Sequence, residues 1–172
     1  MLPSWKGQML QRLSQYSKGN QAEPARICIV GVGSDLRGDD SAGLWVARAL
    51  LKDDALGRMT NLLVIEGGPA PENHTGKIRV FKPDVVVLVD AANMDELPGA
   101  TRWISLDEIA GMSASSHSLP LSMLGSFLHA EMGCEVQVFG IQPAQNEFDA
   151  PISPAVQAAV DTIALDFSKL FL

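Results

Sequence analysis

The run Val85-Val86-Val87-Leu88-Val89 is apolar at all five positions. A strand with one wet face would alternate apolar and polar residues, so this run predicts a strand that is covered on both faces. We predict strands over 26–32, 62–65, 85–89, 101–106 (an edge strand) and 135–141, and helices over 39–52, 71–81, 119–132 and 153–170. This alternation is typical of a single α/β domain, here 26–172, with three layers in which helices cover both faces of a mainly parallel, twisted, five-stranded sheet.

Residues 1–25 differ from the rest of the chain and are predicted to form an N-terminal helical extension. Trp5, Met9, Leu13 and Tyr16 recur at spacings of four, four and three, so they share one face of a helix. The segment has no continuous apolar core and no small-residue cleavage site, which argues against a secretory signal. We expect a helix that packs on the domain.

The composition excludes several classes of protein. The chain has 172 residues, of which 47% are hydrophobic and 19% charged, enough for one buried core. Its net charge of −7 argues against a nucleic-acid partner, because binding to phosphates requires a basic surface. No apolar run approaches the ~20 residues that cross a bilayer, so no membrane partner is expected.

The negative charge is concentrated in 103–172, which carries eight acidic residues and a single basic one, Lys169. This pattern is explained either by a solvated acidic face or by a surface that steers a basic polypeptide partner. Cys28 and Cys134 lie far apart in apolar runs and make no disulfide framework, which indicates inert core thiols and a reducing cytoplasm. No sustained heptad pattern calls for a second subunit, so a monomer is expected.

A glycine-rich turn follows the first predicted strand, in the sequence Gly31-Val-Gly-Ser-Asp-Leu-Arg-Gly-Asp-Asp-Ser-Ala-Gly43. It is not a dinucleotide fingerprint, because Leu36 stands where the third glycine is needed for close packing of helix on strand. Asp39 and Asp40 would also repel a pyrophosphate from the start of the helix. The turn therefore predicts no binding of nicotinamide or adenine nucleotides.

The two adjacent aspartates are predicted to have different roles. Asp39 is placed as the N-cap of the helix, and since Asn caps about as well as Asp, Asp39→Asn is expected to keep much of the activity. Successive helical residues point about 100° apart, so the pair cannot form a face-to-face dyad, but one of them can point into the cleft. We assign that place to Asp40.

Further acidic residues follow the second and third predicted strands. Asp90 follows directly after the apolar run, where burial would remove most of the water around its carboxylate, so the carboxylate needs a compensating partner. Either nearby loop amides donate hydrogen bonds to it, or it has a metal-binding or catalytic role. Glu66 is placed similarly, but it sits beside two glycines and could simply hold that turn. Ligands in this architecture bind at the carboxyl ends of the strands, where these residues lie.

The three histidines differ in their settings. His129 lies in the last turn of a predicted helix, where the dipole favours a cation. His74 is ambiguous, whereas His117 lies in a loop of small polar residues and is the best ligand candidate. Asp40, Asp90 and His117 would together make an oxygen and nitrogen site of the kind that borderline metals accept.

The glycine-rich turn resembles the signature of the nickel–iron hydrogenase maturation endopeptidases, in which a strand leads through GxGNxLxxD(D/E)xxG into the first helix. The similarity continues through Ile-Glu-Gly-Gly-Pro-Ala-Pro-Glu-Asn at 65–73, Leu-Val-Asp-Ala at 88–91, Ser-His-Ser-Leu-Pro-Leu at 116–121 and Phe-Gly-Ile-Gln-Pro at 139–143. The Pro-Glu-Asn and Gly-Ile-Gln-Pro segments are most similar to the subgroup that processes the large subunit of hydrogenase 3. Ser34 departs from the usual Asn, a mild change since both side chains can bond the local backbone.

The resemblance implies an aspartyl-type endopeptidase, a hydrolase that removes the C-terminal extension of the hydrogenase large-subunit precursor once nickel is in place. It implies that Asp40, Asp90 and His117 contact the metal and that Asp40 is also the catalytic candidate. The nickel could belong to the substrate or to the protease. Two alternatives remain at this stage: a non-catalytic nickel-sensing assembly factor with the same site, and a nucleotide-binding enzyme of the same architecture.

Overall fold

The computed structural model describes residues 4–16, 23–112 and 119–172. Within these ranges the helices are α1 Trp5–Tyr16, α2 Ala42–Leu51, α3 Thr75–Phe81, α4 Leu106–Gly111, α5 Leu121–Met132 and α6 Pro154–Phe171. The strands are β1 Ile27–Val32, β2 Leu62–Gly68, β3 Val85–Ala91, β4 Thr101–Ile104 and β5 Glu135–Ile141. Short 3-10 turns precede α2 at Gly38–Ser41 and α3 at Pro71–His74.

The described strands form one sheet in the order β2-β1-β3-β5-β4. The first four strands in this order are parallel, and β4 pairs antiparallel with β5 at the edge. Asp90, in the central strand β3, pairs in register with Gly140 of β5. The predicted α/β class and the mainly parallel five-stranded sheet are confirmed.

Each face of the sheet has its own cluster of buried apolar side chains. Val85, Val87 and Val89 of β3 pack with α2 and α6, whereas Val86 and Leu88 pack on the opposite face with α3 and α5. All seven residues of β3 are buried, because helices cover both faces of the strand. This is the arrangement that the continuous apolar run predicted.

Helix α1 packs on the face that α2 and α6 cover. Its Trp5 ring lies 4.9 Å from the Phe139 ring and 5.3 Å from the Phe167 ring, measured between centroids. Met9 is fully buried, and Lys6 pairs with Asp166 of α6 at 2.6 Å. The side chains of Leu13 and Tyr16, which were assigned to the same helix face, lie outside the described part of the structure.

Several boundaries differ from the predicted elements. Strand β2 continues to Gly68, so that Glu66 lies within it, and α2 begins at Ala42, after a 3-10 turn that contains Asp39 and Asp40. Strand β3 continues to Ala91, so that Asp90 lies within the strand and not after it. The edge strand ends at Ile104, because the Ser105 side chain accepts a hydrogen bond from the Glu108 N–H (3.1 Å) and so begins α4, which the sequence patterns did not predict. No helix in the described ranges is long and apolar enough to cross a membrane.

Gly43→Ala is expected to disrupt the contact of α2 with the sheet. A Cβ at Gly43 would lie 2.1 Å from the Val89 carbonyl oxygen and 2.4 Å from that of Val32, and backbone atoms cannot rotate away. We expect a loss of about 3 kcal/mol in the free energy of unfolding, or failure to fold. Gly76→Ala in α3 is the control, since its Cβ would meet nothing within 4 Å and should stabilise by about 0.5 kcal/mol. Urea unfolding measures both, and equal stability of the two variants would contradict the packing argument.

Candidate active site at the carboxyl edge of the sheet

The start of α2 is pressed against the carboxyl ends of β1 and β3. Gly33 has a φ of +131°, and a Cβ there would lie 1.7 Å from the Asp40 carbonyl oxygen. One helical turn after Asp40, Gly43 touches the carbonyl of Val89, the residue that precedes Asp90. These close approaches place Asp40 and Asp90 at the same edge of the sheet.

Both of these carboxylates are buried. Asp40 is 4% exposed and Asp90 is 2% exposed. The Ser34 N–H donates to Asp40 Oδ2 at 3.0 Å, so the loop after β1 holds one carboxylate oxygen of Asp40. Ionised carboxylates removed from water need compensating partners, and such groups cluster at functional sites.

His117, the third predicted ligand, falls in 113–118, outside the described residues. Within the described ranges, no group of three or more His, Cys, Asp or Glu side chains is placed to hold a metal ion. Of the predicted set, the structure therefore describes the two carboxylates.

Asp39 is not the helix cap that its position in the sequence predicted. The 3-10 turn and α2 have no side-chain cap, with Arg37 and Ser41 at their respective N-cap positions. The fully buried Asp39 carboxylate instead accepts hydrogen bonds from the distant residues Ala144, Gln145 and Ser153. Its Oδ2 accepts from Ala144 N–H (2.8 Å), Gln145 N–H (3.2 Å) and Ser153 Oγ (2.8 Å), and its Oδ1 from Ser153 N–H (2.6 Å). Asp39 thus holds the loop after β5 and the start of α6 against the carboxyl edge of the sheet.

Asp39→Asn is therefore expected to destabilise the protein, contrary to the expectation from capping. In the wild type, each carboxylate oxygen of Asp39 accepts a hydrogen bond from a backbone N–H. Whichever oxygen the amide nitrogen of Asn replaces, one of these buried N–H groups loses its acceptor. We expect a loss of about 2 kcal/mol in the free energy of unfolding, measured by urea denaturation. Asp161→Asn on the exposed face of α6 serves as the control. Unchanged stability of Asp39→Asn would show that these hydrogen bonds contribute little.

Gln142 is a residue of this edge to which sequence reasoning assigned no role. Its side chain is 7% exposed, and Oε1 accepts hydrogen bonds from Met94 N–H (2.7 Å) and Glu96 N–H (3.3 Å). Its Nε2 donates to Asn93 Oδ1 and to the Pro143 carbonyl, both at 3.2 Å. The available signal was its place in the Gly-Ile-Gln-Pro segment, which by itself does not reveal the contacts.

Comparison with known proteins identifies the family. A family model described as hydrogenase maturation protease matches residues 46–167, which is more than half of the chain. The chain is 38% identical over 133 residues to the hydrogenase 3 maturation protease of Escherichia coli K12, covering 77% of this chain and 82% of the relative. The chain belongs to the hydrogenase maturation protease family.

Solved structures of maturation proteases agree with this assignment. The HycI protease of Thermococcus kodakarensis superposes with a TM-score of 0.78 at 29% identity, covering 94% of this chain and 97% of that one. The HycI endopeptidase of Escherichia coli superposes with a TM-score of 0.70 at 35% identity, covering 81% and 87% respectively. The resemblance stated from the motifs is confirmed, and the protein is a hydrolase.

The cysteines of this maturation protease are unsuited to act as nucleophiles. Both are buried and free, and burial raises the pKa of the Cys28 thiol to about 12. Burial also raises the pKa of the Cys134 thiol. A thiol attacks as its thiolate, which at neutral pH is scarce at both positions.

Glu66, which lies within β2, takes part in an ion-pair cluster with Arg48 of α2 and Asp35 of the loop after β1. Arg48 of α2 donates to both carboxylate oxygens of Asp35 (2.7 and 2.8 Å) and through Nε to Glu66 Oε2 (2.8 Å). The hydrogen bonds from Arg48 hold the pKa of the Asp35 carboxyl below its ordinary value of 3.8. Glu66 therefore does not follow β2 as predicted; it lies within the strand, and its carboxylate pairs with Arg48.

Proposed function

We propose that this maturation protease removes the C-terminal extension from the large-subunit precursor of a nickel–iron hydrogenase after nickel has been inserted. The observation that carries the proposal is the pair of buried carboxylates, Asp40 and Asp90, at the carboxyl edge of the sheet in a member of this family. The name of the Escherichia coli relative supports a hydrogenase 3 type of enzyme as the source of the precursor.

In this proposal the nickel ion is part of the substrate, and Asp40, Asp90 and His117 contact it. Carboxylate oxygens and an imidazole nitrogen are ligands that nickel accepts, and the imidazole favours nickel and zinc over magnesium. The donor types at this edge therefore fit the ion. When bound there, nickel would polarise the scissile carbonyl or acidify a water molecule.

Contacts within the protease hold the Asp40 carboxylate and its turn in place before the substrate binds. The Ser34 N–H orients one oxygen of Asp40, and the contact of Gly33 with the Asp40 backbone fixes the turn. Burial of Asp40 and Asp90 excludes water and strengthens their attraction for a cation. We further propose that the reaction takes place in the cytoplasm and that the protease acts as a monomer, which the two free buried thiols and the absence of a heptad pattern support.

The proposal is tested by mixing the purified protease with large-subunit precursor in two forms, loaded with nickel and free of nickel. We expect cleavage of the loaded precursor alone, seen as a shorter product by mass spectrometry. The result should be the same when the protease is first treated with a chelator and desalted, because the substrate carries the ion. Binding of loaded precursor without cleavage would instead identify an assembly factor, and efficient cleavage of nickel-free precursor would contradict recognition of the metal.

A further inference from the structure

The segment 142–145 connects the two elements that carry the proposed carboxylates. On one side, the Gln142 side chain binds the backbone of the loop that follows β3, the strand of Asp90. On the other side, the N–H groups of Ala144 and Gln145 bind the carboxylate of Asp39, the neighbour of Asp40. Residues 142–145 therefore contact both the loop that follows Asp90 and the residue that precedes Asp40.

The backbone determines the orientation of the Gln142 amide. Met94 N–H and Glu96 N–H can only donate, so the oxygen must face them, and the Pro143 carbonyl can only accept, so the nitrogen must face it. The buried amide is satisfied on both of its atoms. Such a fully bonded group holds its surroundings rigidly.

The backbone of Gln142 binds the same loop. Its N–H donates to the Ala100 carbonyl (2.8 Å), and its carbonyl accepts from the Gly99 N–H (2.9 Å). The preceding carbonyl, that of Ile141, accepts from the Ala92 N–H (3.0 Å), two residues after Asp90. Strand pairing already holds Asp90 itself opposite Gly140, whereas Gln142 holds the chain that leaves the strand.

We propose that Gln142 is a positioning residue of this protease, which holds the loop after β3 so that Asp90 keeps its place relative to Asp40. The inference rests on the proposed function, because it concerns the geometry of that same site. Two carboxylates that contact one ion must stay at a fixed separation, and a displacement of about 1 Å can cost roughly 100-fold in rate. Asp39 secures the Asp40 side of the edge, and Gln142 secures the Asp90 side.

The test compares Gln142→Met with Leu128→Ala. The first keeps the length of the side chain and removes its four hydrogen bonds, whereas the second removes fully buried apolar atoms of α5 and serves as the control for lost stability. With nickel-loaded precursor, we expect Gln142→Met to lower kcat by roughly 10- to 100-fold while KM changes by less than about threefold. Each variant is assayed at a temperature the same number of degrees below its own Tm. Under these conditions, Leu128→Ala should keep kcat within about twofold of the wild type.

Amide hydrogen exchange gives a second measurement that does not depend on cleavage. In Gln142→Met, the amides of 90–96 should exchange faster while those of β1 and β2 stay protected. A kcat of Gln142→Met within about twofold of the wild type, or an equal fall in Leu128→Ala, would overturn the proposal. Unchanged exchange at 90–96 would overturn it as well. Should the wild-type protein fail to cleave the precursor, the proposed function fails, and the exchange measurement still decides whether Gln142 holds the loop.

Discussion

Asp40→Asn is expected to leave a folded protein that does not process the nickel-loaded precursor. A neutral amide is a poor metal ligand, and loss of a direct ligand should lower the cleavage rate by roughly 100-fold or more. The fold should persist, because the Asn amide oxygen can still accept the hydrogen bond from the Ser34 N–H that Asp40 Oδ2 accepts now. Cleavage is followed by mass spectrometry and stability by urea unfolding.

Asp161→Asn is the matched control for this variant. It removes the same charge from the exposed face of α6 and should cleave at the wild-type rate. The comparison with Asp39→Asn then separates the two adjacent aspartates, since Asp39→Asn should lose stability and Asp40→Asn should lose activity. A stable Asp40→Asn that cleaves normally would exclude Asp40 from the catalytic machinery.

His117→Ala is expected to stop cleavage while the protein stays folded and still binds the precursor. The imidazole supplies the nitrogen ligand of the proposed set, and without it two carboxylates lose their preference for nickel over hard cations. Binding should survive better than cleavage, because the metal contact is one part of a wide polypeptide surface. Pull-down of loaded precursor measures binding, and the size of the product measures cleavage.

His129→Ala is the control for the loss of an imidazole. His129 lies in the last turn of α5, where its Nδ1 is 2.8 Å from the Cys134 carbonyl oxygen, at the edge of the sheet opposite to Asp40. We expect this variant to cleave as the wild type does. Full activity of His117→Ala would show that the loop histidine does not recognise the metal.

The fold could be predicted from local patterns because the sheet is buried on both faces. An all-apolar strand such as 85–89 requires helices on both of its faces. Segments whose apolar residues recur with the 3.6-residue period of a helix predict where those helices lie. The ends of the elements were less certain. The end of β4 and the start of α4 depend on a single cap, Ser105, whose hydroxyl could equally have bonded in a turn.

For the candidate site as well, some features follow from the sequence alone and others only from the tertiary structure. The sequence by itself determined the α/β class, the turn that excludes a dinucleotide fingerprint, and the family, because strand burial and the spacing of a motif are local properties. Only the tertiary structure shows the side-chain partners of Asp39 and Gln142, which lie up to 114 and up to 49 positions away in the sequence. Nearby backbone N–H groups at the start of the helix could have donated to the Asp39 carboxylate. In the folded chain, four donors from the loop after β5 and the start of α6 bind it instead. A buried carboxylate takes the partners that replace its lost water most completely, and no local pattern records where those partners will be.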